Sequence, residues 1–163
     1  MDVKGRVRFN VSLRCDGLGR VVLGEGVTFG YGMAAKVGNG AIRIQARGRD
    51  SLVVIGLETS FSNEVQIFSE KRVSIGSRCL IGDSVMIMDS DFHDLSPEGR
   101  HFGPASAEPV VIEDNVFIGS RAIILKGVTI GRDSVIGAGS VVTRSIPPRT
   151  VAAGNPAKVL RPL

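Results

Sequence analysis

Aliphatic residues recur every six positions through the last third of the chain. Ile112, Ile118, Ile124, Ile130, Ile136 and Val142 keep this step without a break. Four residues after each stand Val116, Ala122, Val128, Ser134, Ser140 and Ile146, mostly small or β-branched, and Gly119, Gly131 and Gly137 directly follow three of the aliphatics. An α-helix cannot use such a pattern. A step of six advances about 240° around a 3.6-residue turn and scatters the apolar groups over three faces. A short strand followed by a bend accommodates it: the aliphatic points inward, a small residue sits where the interior is crowded, and Gly or Asn relaxes the corner. Three such strands close a triangular coil, and stacked coils pair along three parallel sheets. The predicted fold is all-β, a parallel β-helix of hexapeptide repeats.

The same rule reappears upstream in other frames. Ile55, Phe61 and Ile67 form one set, with Thr59 and Val65 in the small place, and Ile75, Ile81 and Ile87 form another, with Cys79 and Val85 there. Cys79 therefore reads as a core filler rather than a nucleophile. Ile67 to Ile75 takes eight residues instead of six, so two are inserted and Lys71 is expected to turn outward. Leu23 and Phe29 keep the step, but Val7, Phe9, Val11 and Leu13 alternate. That alternation predicts a flatter opening strand or cap, so residues 1–50 read as an N-terminal cap or early coils.

Between Ile87 and Ile112 the repeat fails. Its frame would place Asp91 at an inward small position, where an unpaired carboxylate costs several kcal/mol, so the coil is expected to open near Asp89. Pro97, Gly99, Gly103, Pro104 and Pro109 punctuate the segment from Asp91 to Pro109, which predicts one protruding loop over about 89–109. Both histidines of the chain, His93 and His101, fall in it. Asp89, Asp91 and Asp94 stand close to His93. A carboxylate accepting from one imidazole nitrogen would fix the tautomer and leave the other nitrogen as a base. The alternative is a surface histidine among solvated acids. His101 lacks an adjacent carboxylate and reads as a bystander.

Composition sharpens the picture in three ways. The chain of 163 residues suits a single domain over 1–163; with 21 Gly, no Trp and 5% aromatics, its core must be aliphatic and layered thinly. The opening MDVKGRVRFN has no apolar run behind its charges, no stretch approaches the roughly 20 residues of a membrane helix, and Cys15 and Cys79 are too few for a disulfide framework. No secretory leader, no membrane span and a reduced, cytoplasmic setting are expected. The net charge of +4 lies wholly in the tail: after Asp133 there is no acid, while Arg144, Arg149, Lys158 and Arg161 follow. Such a tail is either a solvated charge run or a site for an anionic ligand. Scarce aromatics and no basic–aromatic interleaving argue against nucleic acid.

The run IEDNVFIGSRAIILKGVTIGRDSVIGAGSVVTRSIPPRTVAAGNPAKVLRPL resembles the C-terminal coils of hexapeptide-repeat acyltransferases, in the branch of galactoside, maltose, nodulation-factor and capsular-polysaccharide O-acetyltransferases. The resemblance is dense over 110–163 and good over roughly 53–93, and the strings IGAGSVVT and AGNPAK are specific in combination. It implies a left-handed coil, a homotrimer with active sites between subunits, a catalytic histidine on the interrupting loop, matching His93, and acetyl-CoA as co-substrate without a metal. By the same matching, acetyl-CoA contacts Ser120, Ala138, Thr143, Arg144, Lys158 and Arg161, so that 147–163 forms a short C-terminal, CoA-binding cap whose cations face phosphates. Asp89 and Asp91 are assigned either to sugar hydroxyls or to orienting His93. Phe117 stands where many members carry Trp, and Asp94 follows the histidine where the galactoside and maltose enzymes have Pro. The DSDFH form looks more like the capsular and lipopolysaccharide branch, which points to a cell-surface glycan or its precursor as acceptor.

The expected reaction is O-acetylation of a sugar hydroxyl, with His93 as general base and a backbone N–H, that of Ser120, facing the oxyanion. An amino-sugar N-acetyltransferase uses the same parts, and a non-catalytic structural β-helix would need neither the histidine loop nor the basic tail. A carbonic anhydrase of this fold needs three histidines on zinc, and the chain has two.

Overall fold

In the computed structural model, which describes residues 1–33 and 39–163, the described residues form strands, turns and bends with no helix. Two sheets have six strands and one has eight. Through the first eighteen strands the chain passes from the first sheet to the second and then the third, and each of the first fifteen pairs in parallel with the strand three places on. Six coils result. The first uses Asp2–Val3, Arg8–Phe9 and Leu13–Gly17; the second Arg20–Leu23, Thr28–Phe29 and Ile42–Ala46. Leu52–Ile55, Ser60–Phe61 and Gln66–Ser69 make the third, and Arg72–Ile75, Leu80–Ile81 and Met86–Met88 the fourth. Val110–Ile112, Phe117–Ile118 and Ile123–Ile124 make the fifth, and Thr129–Ile130, Val135–Ile136 and Val141–Val142 the sixth. Ile146 then bridges to Ile130, Thr150–Gly154 adds to the second sheet, and Ala157–Pro162 folds back antiparallel on it as a terminal flap.

The registers put the hexad aliphatics one above another. Leu23, Ile55, Ile75, Ile112 and Ile130 form one inward column, and Ile44, Ile67, Ile87, Ile124 and Val142 another. In the second sheet Phe9, Phe29 and Phe61 stack at ring separations of 5.6 and 5.1 Å before Ile81, Ile118 and Ile136 continue the column. Each fully covered side chain of this size contributes about 1.5–3 kcal/mol. Cys79 is buried at a small place of the repeat, and burial pushes its thiol up, so it stays protonated and a poor nucleophile.

The corners are tight enough to demand unusual backbone. Glu58, Arg78, Asn115, Asp133 and Arg149 all take positive φ at the turn between first and second sheets, each donating its N–H to the turn of the coil before. Gly56 is required for a different reason: a Cβ there would lie 2.5 Å from the Gly76 carbonyl carbon of the next turn.

The N-terminal region departs from the expected flat strand. Val7, Phe9, Val11 and Leu13 straddle a corner, with Arg8–Phe9 in the second sheet and Leu13–Gly17 in the third. The described strands up to Ala46 therefore build two coils of the same prism. Phe9 is half exposed because no coil covers it from below. The second coil also carries an excursion unseen in the pattern: Phe29 to Ile44 takes fifteen steps where Phe61 to Ile67, in register with them, takes six. Its described ends are pinned to the coil above. Tyr31 N–H donates to Asn63 Oδ1 at 3.2 Å, and Glu64 N–H donates to the Gly40 carbonyl at 3.1 Å.

Candidate active site

The larger excursion leaves the prism at the corner between the third and first sheets of the fourth coil, after Met86–Met88, and returns at Val110–Ile112. Its root is a buried carboxylate. Asp89 follows Ile87 by two residues, as Ser69 follows Ile67, and so keeps the inward place of the corner. It accepts the Ser69 hydroxyl at 2.8 Å and the backbone N–H groups of Glu70, Lys71 and Arg72 at 2.7, 2.9 and 2.6 Å. These four donors replace lost water. They also order the two-residue insertion, and Lys71 does turn to solvent. Asp89 is thus a correction to the expected site: it is wholly buried, its oxygens accept from the coil beneath, and among the described residues it makes no hydrogen bond to His93.

Asp91 sits outside the prism wall. Its Oδ2 lies 3.1 Å from Lys126 Nζ, and Lys126 also approaches Glu108 Oε1 at 3.6 Å and Ser106 Oγ at 3.1 Å. The Asp91 carboxylate holds the Lys126 ammonium above its usual range. The loop's two ends are zipped by Asp91 N–H on the Ser106 carbonyl at 3.0 Å and Glu108 N–H on the Asp89 carbonyl at 2.8 Å. Phe92 then takes φ 61°, a strained region for a bulky residue. Its ring packs edge-on against Phe68 at 6.0 Å and under the Arg47 guanidinium at 4.8 Å.

That turn throws His93 outward, where it is exposed. Its Nδ1 lies 3.3 Å from the Arg100 carbonyl oxygen. A carbonyl can only accept, so a hydrogen bond here takes its proton from Nδ1, and in the neutral imidazole Nε2 then carries the lone pair. This partner is a backbone carbonyl of the same loop, and among the described residues no hydrogen bond joins His93 to a neighbouring aspartate. Asp91 is held by Lys126, and Asp94 accepts the Ser96 N–H at 2.8 Å. His101 is exposed and packs edge-on against Phe102.

The six residues matched to a coenzyme site fall on two corners and the terminal flap. Thr143 and Arg144 follow Val141–Val142 at the corner that carries the loop. Thr143 shares a groove of about 570 Å³ with Asp91, Lys126, Glu108, Phe92 and Leu95. Ser120 and Ala138 lie across the third sheet, at its corner with the second, where Gly139 N–H donates to the Ser120 carbonyl at 2.8 Å and Ser120 Oγ donates to Asp83 Oδ1 at 2.6 Å. Lys158 and Arg161 project from the terminal flap opposite Ala153 and Val151. Arg144, Lys158 and Arg161 are exposed, and none is paired with a carboxylate among the described residues. Phe117 faces outward on the second sheet beside Leu80, in a groove of about 650 Å³ that also takes in Tyr31. No cluster of His, Cys, Asp and Glu able to hold a metal ion occurs among the described residues.

Residue-by-residue reading missed Lys126, Phe92 and the Arg100 carbonyl. The repeat held a signal for the first: Asp89, Lys126 and Arg144 each follow a third-sheet aliphatic by two residues, and so share one corner. Nothing in the sequence marked the other two, which depend on the path of an irregular loop.

The comparisons with known proteins agree with this architecture. Residues 109–144 match the family model described as the hexapeptide repeat of succinyl-transferase. The galactoside O-acetyltransferase of Escherichia coli K12 is 41% identical over 111 residues, 68% of this chain and 54% of that protein. The chain spans about half the length of the curated relatives it matches. Among solved structures, a hexapeptide-repeat-containing acetyltransferase from Vibrio cholerae superposes with a TM-score of 0.72 at 31% identity, covering 86% of this chain and 72% of that one. A galactoside acetyltransferase in complex with coenzyme A gives 0.66 at 34% identity, with 86% and 64% covered. With its three sheets of parallel-paired coils, recurring hexads and single large excursion from the fourth coil, the chain belongs to the hexapeptide-repeat acyltransferases and has their left-handed β-helix.

Proposed function

We propose that the protein transfers an acetyl group from acetyl-CoA to a sugar hydroxyl, on a cell-surface glycan or its precursor, with His93 as general base. The observation that carries this reading is the exposed His93 on the excursion, with its Nδ1 3.3 Å from the Arg100 carbonyl oxygen, a contact that supports the tautomer with the proton on Nδ1 and Nε2 as the base. Nε2 takes the proton of the acceptor hydroxyl as that oxygen bonds to the thioester carbonyl carbon. The carbon–sulfur bond then breaks, and the imidazolium returns the proton to the departing thiolate. The Ser120 N–H is the proposed donor to the oxyanion.

The residues fit an anionic co-substrate. Arg144, Lys158 and Arg161 stand exposed and, among the described residues, unpaired with a carboxylate, which leaves them available to phosphates. They are spread over one corner and the terminal flap of one chain. A homotrimer would bring the loop of one copy toward the tail of another, which is the assembly this reading requires. Galactoside acetyltransferase was solved with coenzyme A, in line with the same choice of ligand.

The test is an acceptor screen with acetyl-CoA, following thiol release over hydroxyl-bearing and amine-bearing sugars. Wild-type protein is expected to acetylate a hydroxyl acceptor, and His93→Ala to lower kcat by roughly 10²–10⁴. Amine acceptors alone being turned over would replace the O-acetyl reading by an N-acetyl one; undiminished turnover in the variant would remove His93 from the chemistry.

A further inference from the structure

The segment that carries His93 has little hold on the coils except at its ends. Within it, Ser96 N–H donates to Asp94, Gly99 N–H to the Ser96 hydroxyl and Arg100 Nη2 to the Leu95 carbonyl, all contacts of the loop with itself. Leu95 and Phe102 lie open to solvent. How the loop stands relative to the prism is therefore decided at its roots, by the Phe92 packing and by the charges gathered around Lys126.

Lys126 belongs to the fifth coil, at the next level of the corner from which the loop leaves. Its ammonium meets Asp91, two residues before His93, at 3.1 Å, and Ser106 and Glu108, on the returning end, at 3.1 and 3.6 Å. Next to it, Gly127 N–H donates to the Glu108 carbonyl at 3.1 Å. One cation thus ties the outgoing and returning ends to each other and both to the coil. Without it, Asp91 and Glu108 would be two negative groups around an empty place, and their repulsion would push the ends apart. A hydrophobic side chain of similar length fills the space but supplies neither the attraction nor the donors.

We infer that Lys126 is a positioning residue of the His93 site, a clasp that sets the stance of the loop without touching the reacting atoms. The inference rests on the reading of His93 as the base. A misplacement of about 1 Å at a catalytic group can cost 10²-fold, so a clasp of this kind acts on kcat while the core stays as it was.

The experiment uses the full chain with Lys126→Met, Lys126→Arg and His93→Ala in parallel. Native-state cleavage by chymotrypsin at Leu95 and Phe102 reads the loop directly. Lys126→Met is expected to be cut several-fold faster, with a melting temperature within about 4 °C of wild type. Its kcat should fall about ten- to a hundred-fold while the KM for acetyl-CoA stays within about twofold. Lys126→Arg, which can still span the same oxygens, should restore most of both. Wild-type cleavage and wild-type kcat in Lys126→Met would overturn the inference. So would a fallen kcat with unchanged cleavage, since Lys126 would then act on the ligand and not through the loop. Undiminished turnover in His93→Ala defeats the reading of the base alone, because cleavage still judges the clasp.

Discussion

At the scale of single residues, Asp89 carries the most structure for its size. Three successive N–H groups and a hydroxyl converge on one buried carboxylate, so the two-residue insertion of the third coil and the departure of the loop from the fourth are one feature. Replacing Asp89 by Ala leaves the buried Ser69 hydroxyl and three part-buried N–H groups without their acceptor, and the expected cost is about 3 kcal/mol in urea unfolding. Asp89→Asn keeps the shape but presents an NH₂ group to donors, and should recover only part of the loss. Lys71→Ala, one residue into the same turn but facing solvent, is expected to stay within about 0.5 kcal/mol of wild type. Equal stability of Asp89→Ala and Lys71→Ala would show that the turn holds itself without the carboxylate.

At the scale of the strands and their columns, position along the stack matters more than residue type. Phe9 and Phe29 occupy the same place in the second sheet and their rings stack, yet Phe29 is wholly buried between two coils whereas Phe9 is 49% exposed at the open end. Phe29→Ala should therefore cost about 3–5 kcal/mol, the usual loss for a large core truncation. Phe9→Ala should cost about 1 kcal/mol, as most of its ring area is already shared with water. Chemical unfolding of the two variants checks the difference, and similar losses would contradict the column as the unit of stability. The first coil was hard to read for a reason of its own. Val7, Phe9, Val11 and Leu13 alternate because a corner falls between them, and in the coil stacked on it the matching interval, Phe29 to Ile44, is fifteen residues, so no second step of six repeats it. From Leu52 onward the six-residue step named the inward residues, because every sheet there repeats at least twice with the same spacing. It also marked the loop, since the period simply stopped. The partners inside the loop were illegible for the opposite reason. Arg100 meets His93 through a carbonyl that every residue possesses, and Phe92 is held by Arg47 from two coils below, a separation that no local pattern encodes.

At the scale of the whole molecule, charge is distributed as unevenly as the repeat is regular. The basic excess of the chain lies after Asp133. The fold places Arg144 on the corner that carries the loop and Lys158 and Arg161 on the flap that closes the second sheet. The two positions flank the last strand of the third sheet, so the positive field gathers at one end of the prism. On the proposed reading this field draws in the phosphates of acetyl-CoA, and exposed charges of that kind are screened by salt. The Debye length falls from about 10 Å at 0.1 M to about 3 Å at 1 M. The KM for acetyl-CoA is accordingly expected to rise several-fold between about 0.05 and 0.5 M NaCl with kcat little changed. Acetyl-pantetheine, which lacks the phosphates, should show a high KM with almost no salt dependence. Lys158→Ala combined with Arg161→Ala should raise the KM for acetyl-CoA at low salt toward the wild-type value at high salt, and flatten its slope. A salt response identical for both donors would mean that salt acts on the acceptor or on assembly, and the tail would return to being a solvated run of charge.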